Sequence, residues 1–251
     1  MTTFRLKCLY DRARRYCLAA LFPFYVLSHC CYAQTVDELI AKNLAARGGV
    51  EKLRAIRSMA MTGTIDFGAG SSPITVKVLR PNQIREDFEV QGNKVTRAYD
   101  GRAGWEAQGA SVRSLADEEL DNLREEAQNA IEGPLLDYAK KGSTAELVGK
   151  DSVEGRAVYK LKITTNLGTS VTQFLDAGNY LEIHEEIERS ANGKIVTIVE
   201  EVGDYRDVEG VKFAHRFVSG TRENPAASKL QIEKMSVNGA VESSEFQTPL
   251  H

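Results

Sequence analysis

The segment GDYRDVEGVKFAHRF, residues 203–217, places His215 among charged and aromatic side chains. An imidazole titrates near neutral pH, so this side chain can serve as a general base or contact a ligand. On a strand, alternation points His215 to the same side as the apolar residues Val211, Phe213 and Phe217. The alternative is a buried histidine that is hydrogen-bonded to a neighbour. We favour that interpretation because no nucleophile motif accompanies the histidine.

A second histidine, His184, lies in the segment YLEIHEEIERS. Alternation groups it with Glu182, Glu186 and Glu188 and predicts a solvated acidic face. A strand would place His184 beside Glu182 or Glu186, as a metal site requires, but the sequence contains no HExxH motif and zinc prefers nitrogen and sulfur ligands. Phosphate-binding glycine loops and the GxSxG elbow are absent too. The sequence therefore predicts no metal, no cofactor and no catalytic residue.

The first 33 residues have the composition of a secretory signal peptide. Basic residues precede the apolar run CLAALFPFYVL, and Cys31 and Ala33 are the small residues expected before a cleavage site. We therefore predict a signal peptide over residues 1–33, cleavage near Ala33, and a periplasmic or secreted protein. The pair Arg14-Arg15 leaves the export route open between general secretion and a twin-arginine pathway.

Residues 34–251 lack cysteine, because all four cysteines lie in the first 33 residues. This part of the chain therefore has no disulfide, thiolate ligand or cysteine nucleophile. It carries 27 basic and 34 acidic residues, which argues against binding to nucleic acid. Its length suits one domain, which we place at residues 34–251.

The periodicity of apolar residues divides the domain into predicted helices and strands. Thr35 and Glu38 form a predicted capping box for a first helix, and a second short helix follows near Leu53. Residues 114–131 predict an acidic amphipathic helix, and residues 135–141 a further turn or two. Period-two alternation predicts strands over residues 59–67, 74–79, 84–90, 95–99, 156–165, 171–176, 180–189, 194–208, 211–220 and 229–237.

This pattern predicts a mainly β protein with a few helices. We expect a curved antiparallel sheet, or incomplete β-barrel, with the helices packed on its inner face. Glu209-Gly210 lies between two alternating runs and predicts a tight hairpin turn.

Three segments of the chain resemble the outer-membrane lipoprotein carrier (LolA/LolB-like) superfamily and its lipoprotein-sorting relatives. They are TVDELIAKNLAARGGVEKLRAIRSMAMTGTI, VEGRAVYKLKITTNLGTSVTQFLDAGNYLEIHEE, and DYRDVEGVKFAHRF with the ending IEKMSVNGAVESSEFQTP. The resemblance implies an unclosed barrel of about eleven strands, with helices as a lid over an apolar cavity. It also implies lipid or acyl cargo. An interior arginine helps to hold the lid in such carriers, but the sequence alone does not map it to a position in this chain, so no site residue is transferred on that basis.

The apolar parity of the predicted strands and helices, together with Trp105 as the only tryptophan, supplies candidates for the lining of a cavity. Methionine adapts to irregular apolar ligands, although the same side chains also fill ordinary cores. The candidate ligand-binding residues are Met59, Met61, Phe67, Ile84, Phe88, Tyr99, Trp105, Leu120, Leu123, Phe213 and His215.

Together these features predict a monomeric, non-enzymatic carrier or sensor that binds lipoprotein acyl chains or another lipid, with envelope proteins as further partners. The acidic helix, with its narrow stripe of leucines, is expected to act as the lid, and Gly133-Pro134 after it to act as a flexible joint. Leu123→Asp is then expected to weaken cargo binding more than it weakens the fold. Two alternatives stay open: an exported hydrolase using His215, and a non-catalytic module that binds a protein through a sheet edge.

Overall fold

The computed structural model describes residues 34–191 and 193–249. The predicted signal peptide and its cleavage site lie outside the described residues. In the part of the chain that the structure describes, no helix is long and apolar enough to cross a bilayer.

Within residues 34–191 and 193–249, three α-helices precede or interrupt the strands: α1 (Val36–Ala46), α2 (Val50–Ala55) and α3 (Asp117–Asn129). The capping box of α1 is present, since the Thr35 hydroxyl accepts from the Glu38 amide and the Glu38 carboxylate accepts from the Thr35 amide. Helix α3 is shorter than predicted because Ser114 ends a strand. Residues 130–142 form hydrogen-bonded turns where further helix was predicted.

Fifteen strands make up about half of the residues that the structure describes. They are β1 (Ser58–Asp66), β2 (Ser71–Leu79), β3 (Gln83–Val90), β4 (Asn93–Tyr99), β5 (Gly104–Gln108), β6 (Ser111–Ser114), β7 (Thr144–Val153), β8 (Arg156–Thr164), β9 (Ser170–Asp176), β10 (Glu182–Ala191), β11 (Lys194–Gly203), β12 (Arg206–Val208), β13 (Val211–Phe213), β14 (Arg216–Thr221) and β15 (Ser228–Val237). A 3₁₀ turn, Ser243–Phe246, follows them. Strands β5, β6 and β7 were not predicted.

Thirteen strands form one antiparallel sheet in the order β6-β5-β4-β3-β2-β1-β15-β14-β11-β10-β9-β8-β7. The outermost strands, β6 and β7, do not pair with each other, so the sheet stays open. The predicted fold class is thereby confirmed, with more strands than the resemblance implied. Strands β12 and β13 form a separate hairpin. Its turn residues Glu209 and Gly210 have φ values of 52° and 79°, as a tight two-residue turn requires.

The pairing of β1 with β15 contains a bulge at Gly63, and this glycine has no room for a side chain. A Cβ atom at Gly63 would lie 2.0 Å from the backbone oxygen of Gln231. We expect Gly63→Ala to lower the free energy of unfolding by about 3 kcal/mol, because two backbones would have to separate. Gly239→Ala is the control, since a Cβ there meets nothing within 4 Å. Equal urea midpoints for the two variants would contradict this.

Candidate functional site

The inner face of the sheet is the surface on which the helices pack. Strand register places residues on this face in rows, because directly paired residues point to the same side. One row joins Val202 to Phe217 and Leu230, and a second joins Val171 to Ile187 and Ile198. Both rows are apolar.

Most of the predicted cavity-lining residues belong to the core under the helices. Met59, Ile84, Tyr99, Leu123 and Phe213 are buried in one cluster, and Met61, Phe88 and Leu120 pack against it partly buried. Phe67 is exposed at a hairpin tip, where its ring lies 6.1 Å from that of Phe88. The structure thus brings these side chains together as a filled core.

Trp105 lies on the opposite face of the sheet, so its assignment to the cavity lining is corrected. It pairs with Ala98, whereas the neighbouring Tyr99 points to the inner face. The ring is 2% exposed because the C-terminal segment covers it, and its Nε1 donates to the Phe246 carbonyl at 2.8 Å. This tryptophan anchors the chain end to the outer surface.

His215 is buried between β13 and β14, where the predicted single strand is interrupted. Only 3% of the residue is exposed, and Nδ1 lies 2.9 Å from the Phe213 carbonyl oxygen. Its backbone joins the sheets, since its carbonyl accepts from the Ile232 amide at 2.7 Å. This geometry suits a structural role.

The predicted acidic face around His184 is divided by a β-bulge. Register shifts between Glu182 and His184, so Glu182 turns inward while His184 packs edge-on against Phe174 at 4.9 Å on the outer face. Partial burial lowers the pKa of His184. Among the described residues, no group of His, Cys, Asp and Glu has the arrangement of a metal site.

Between the two apolar rows runs a row of hydrogen-bonding side chains that sequence reasoning missed. Directly paired residues on five successive strands make up this polar row: Gln173, Glu185, Glu200, Ser219 and Ser228. The Gln173 Nε2 donates to Glu185 at 3.2 Å, and the two serine hydroxyls lie 2.8 Å apart. The sequence contained one signal for this row: Glu185 is two residues from Ile187, so on a strand both side chains point to the same face.

Burial changes the protonation of these acids. Burial, followed by the nearby charges of Glu185 and Glu126, raises the pKa of Glu200 to about 8. Burial and the neighbouring Glu185 raise the pKa of Glu182 well above its usual range, and burial raises that of Glu185. The inner face therefore holds carboxyl groups that keep their protons near neutral pH.

Helix α3 closes one side of the inner face through a narrow apolar stripe. Leu123 and Ala127 are buried against β3, β4 and β5. Polar contacts flank the stripe. Arg97 Nη2 lies 3.3 Å from Glu126 and 2.6 Å from Glu86, and burial raises the pKa of Glu86 to about 8. At the other end, Glu118 accepts a hydrogen bond from Ser190 near the end of β10.

Arg47, at the end of α1, binds the segment that follows α3 in the chain. Its guanidinium donates to the carbonyls of Glu132 and Ile131 at 2.6 and 3.1 Å and lies over the Phe213 ring at 5.9 Å. Burial lowers the pKa of Arg47. An interior arginine thus fixes the end of α3, although the sequence alone identified no such position.

Glu132 holds the same segment through charge. Its buried carboxylate contacts the Arg80 guanidinium and lies 2.6 Å from Lys141 Nζ. Arg80 also donates to the carbonyls of Ile56 and Leu53 at the end of α2. The predicted flexible joint at Gly133-Pro134 is therefore tied to both preceding helices.

Two small pockets open on the described part of the surface. One of about 200 Å³ lies at the hairpin tips beside Phe67, and one of about 110 Å³ lies between α2 and the β12–β13 hairpin. Both are smaller than typical ligand pockets of about 300–1,000 Å³. Beneath α3, the side chains of Leu123 and Ala127 are packed into the buried core cluster.

Solved structures match most of the chain. An outer membrane lipoprotein-sorting protein domain from Vibrio parahaemolyticus is 11% identical, with 83% of this chain and 94% of that chain covered and a TM-score of 0.56. A LolA superfamily protein from Nitrosomonas europaea is 12% identical, with 86% and 99% covered and the same TM-score of 0.56.

A DUF1329 family protein from Desulfovibrio piger is 13% identical, with 86% and 98% covered and a TM-score of 0.56. These likenesses show that the chain has the LolA-like fold, which confirms the predicted resemblance at the level of fold. No protein-family model and no curated protein sequence matches the chain.

Proposed function

We propose that this protein is a periplasmic or secreted carrier or sensor that binds an acyl chain on the inner face of its sheet. The observation that supports this most is the concave apolar face, which α3 covers along only one narrow stripe. Ile187 and Ile198, on the side away from β3–β5, are only partly buried. Removal of each methylene from water contributes about 0.8 kcal/mol, so a long chain binds without polar contacts.

Loading requires α3 to move, because side chains fill the space beneath it. Its contact with the sheet is small, as suits an element that opens at a low free-energy cost. The Arg47 and Glu132 contacts hold the following segment in place. The helix therefore swings about a fixed end, while its first turn releases Ser190.

Leu123 is unsuitable for testing this lid by substitution. The sequence suggested that Leu123→Asp would weaken cargo binding more than the fold. The residue is 1% exposed in the core cluster, however, so a carboxylate there would chiefly destabilise the protein. A covalent restraint on the exposed end of α3 is the better experiment.

The hydrolase alternative lacks support from the geometry of His215. The imidazole is buried and its Nδ1 is engaged by a backbone carbonyl. The interaction-module alternative would use the edge strand β7, whose Val148 is 53% exposed. Charged side chains at Glu146 and Lys150 interrupt that edge, as they do on strands protected from pairing.

Crosslinking tests the lid. With Cys8, Cys17, Cys30 and Cys31 replaced by serine, cysteines introduced as Glu118→Cys and Ser190→Cys are bridged by a short bis-maleimide. We expect the bridged protein to take up a fluorescent C16 fatty alcohol at least about ten-fold more slowly than the unbridged one, because α3 cannot leave. Protein capped with N-ethylmaleimide at both cysteines is the matched control. Equal uptake by bridged and capped protein would show that α3 is not a lid. The absence of uptake by every form would contradict the carrier function.

A further inference from the structure

We infer that the cargo carries a protonated amine, which the polar row on β9, β10 and β11 receives while the flanking apolar rows take the chain. This inference rests on the proposed acyl-binding function and specifies the chemical class of the ligand. Its starting point is a set of buried hydrogen-bond acceptors that the protein itself does not satisfy.

The unsatisfied acceptors lie at the polar row and beside it. Gln173 is 4% exposed and its Nε2 is used by Glu185, which leaves its Oε1 buried without a donor. The Oε1 atoms of Glu182 and Glu125 are also buried without a partner. Protonation can provide a donor at a carboxyl group but cannot provide one for the amide oxygen of Gln173. Buried acceptors without donors are costly, so a ligand that brings donors gains affinity there.

Charge around the polar row favours a cation. The ionisable groups that interact electrostatically with its acids, directly or through shared neighbours, are Glu86, Glu125, Glu126, Glu182, Glu185, Glu200, Tyr205, Arg47, Arg97 and Arg189. Carboxyl groups outnumber guanidinium groups in this set. The excess must be neutralised by protons or by a bound cation.

None of the arginines of the set serves the polar row, because two have other partners and the third is distant. Arg97 pairs with Glu86 and Glu126, and Arg47 donates to backbone carbonyls. Arg189 points to the same face as Glu185 but is four residues along β10, or about 13 Å away. None of the three supplies a donor to the Gln173 oxygen.

An alkylammonium group suits this geometry better than a metal ion. Paired residues on neighbouring strands are about 5 Å apart, so the acids and the amide can converge on the three N–H donors of one ammonium group once α3 has moved. The described residues form no metal-ligand cluster. The apolar rows, with Ile187 and Ile198 on one side and Val202 and Phe217 on the other, would hold an alkyl chain attached to the amine.

Calorimetric titration of the full chain with decylamine, 1-decanol and decanoate at pH 7 tests the inference. We expect decylamine to bind about ten-fold or more tightly than decanol, because charge-assisted hydrogen bonds add to the same chain burial, and decanoate to bind most weakly. Decylamine binding should also release protons, seen as a heat that changes with the ionisation enthalpy of the buffer. Decanol that binds as tightly as decylamine would overturn the amine site and leave the acyl-binding function standing. Failure of all three to bind would overturn both.

Substitutions in the polar row test where the amine binds. The double variant Glu185→Gln/Glu200→Gln should lose about ten-fold in decylamine affinity while decanol affinity stays within about two-fold. Glu201→Gln is the matched control, because Glu201 neighbours Glu200 on β11 but points to the outer face. Equal decylamine affinities in the double variant and the control would show that the amine, if it binds, does not use the polar row, and would overturn the inference.

Discussion

Glu132→Ala is expected to lower the free energy of unfolding by about 3–5 kcal/mol, since breaking a buried ion pair leaves its partners charged and uncompensated. The buried carboxylate is shared by Arg80 and Lys141, and both cations lose their partner at once. Burial already lowers the pKa of Lys141. The segment behind α3 should then detach from α1 and α2. Urea unfolding followed by circular dichroism measures the effect.

An exposed ion pair in the same region provides the control. Arg54 contacts Asp137 at 2.8 Å on the surface, and Arg54→Ala should shift the urea midpoint only slightly, because solvent screens such pairs. Glu132→Gln should fall between the two, since it keeps hydrogen-bonding atoms but loses the charge. A Glu132→Ala midpoint no lower than that of Arg54→Ala would show that the buried cluster does not stabilise the fold.

Glu200→Gln is expected to stabilise the protein at alkaline pH. The carboxyl group has a pKa of about 8 in the folded protein against the ordinary 4.5. Between these two values the folded state holds a proton that the unfolded state has released, so stability falls as pH rises through this window and levels off above it. A neutral amide avoids this loss. Partial exposure of the side chain limits the expected gain at pH 9 to about 2–3 kcal/mol, with little change at pH 5.

Thermal and urea unfolding between pH 5 and pH 9 measure this dependence. The wild-type protein should lose stability across the range, helped by Glu86, whose pKa is also raised to about 8. The Glu200→Gln variant should show a flatter profile, and Glu201→Gln on the outer face should follow the wild type. A wild-type profile that rises toward pH 9 would contradict the assignment of buried, protonated carboxyl groups.

Local sequence patterns predicted much of the fold. Alternation from Ser58 onward identified the long strands, and Thr35 with Glu38 identified the start of α1, because period and capping depend only on neighbours in the chain. The Glu209-Gly210 turn was predicted for the same reason. Edge strand β7 was missed because a β-bulge between Leu147 and Gly149 breaks its alternation.

Features that depend on register or distant segments escaped prediction. The bulge before His184 turns Glu182 inward, and one inserted residue reverses any assignment by parity. Trp105 was assigned to the wrong face because its cover is the far C-terminal turn. The polar row needs the pairing of five strands before it becomes visible.

The role of Arg47 was also hidden from the sequence. In the sequence it is simply the last residue before two glycines that stop α1. Its partners, the carbonyls of Ile131 and Glu132, come from a segment far along the chain. A buried arginine is recognisable only once the acceptors around it are known.

The strand order has a consequence for folding kinetics. The thirteen strands of the sheet fall into two arms, one of β1–β6 and one of β7–β11 with β14 and β15. Within the described residues, only the β1·β15 pairing joins the two arms, with Met59 opposite Val237. Each arm can form through local contacts, whereas this seam must close a loop that spans nearly the whole domain. Closure of the seam should therefore limit the folding rate. Substitutions along it should slow folding, while those at the outer strands should chiefly speed unfolding.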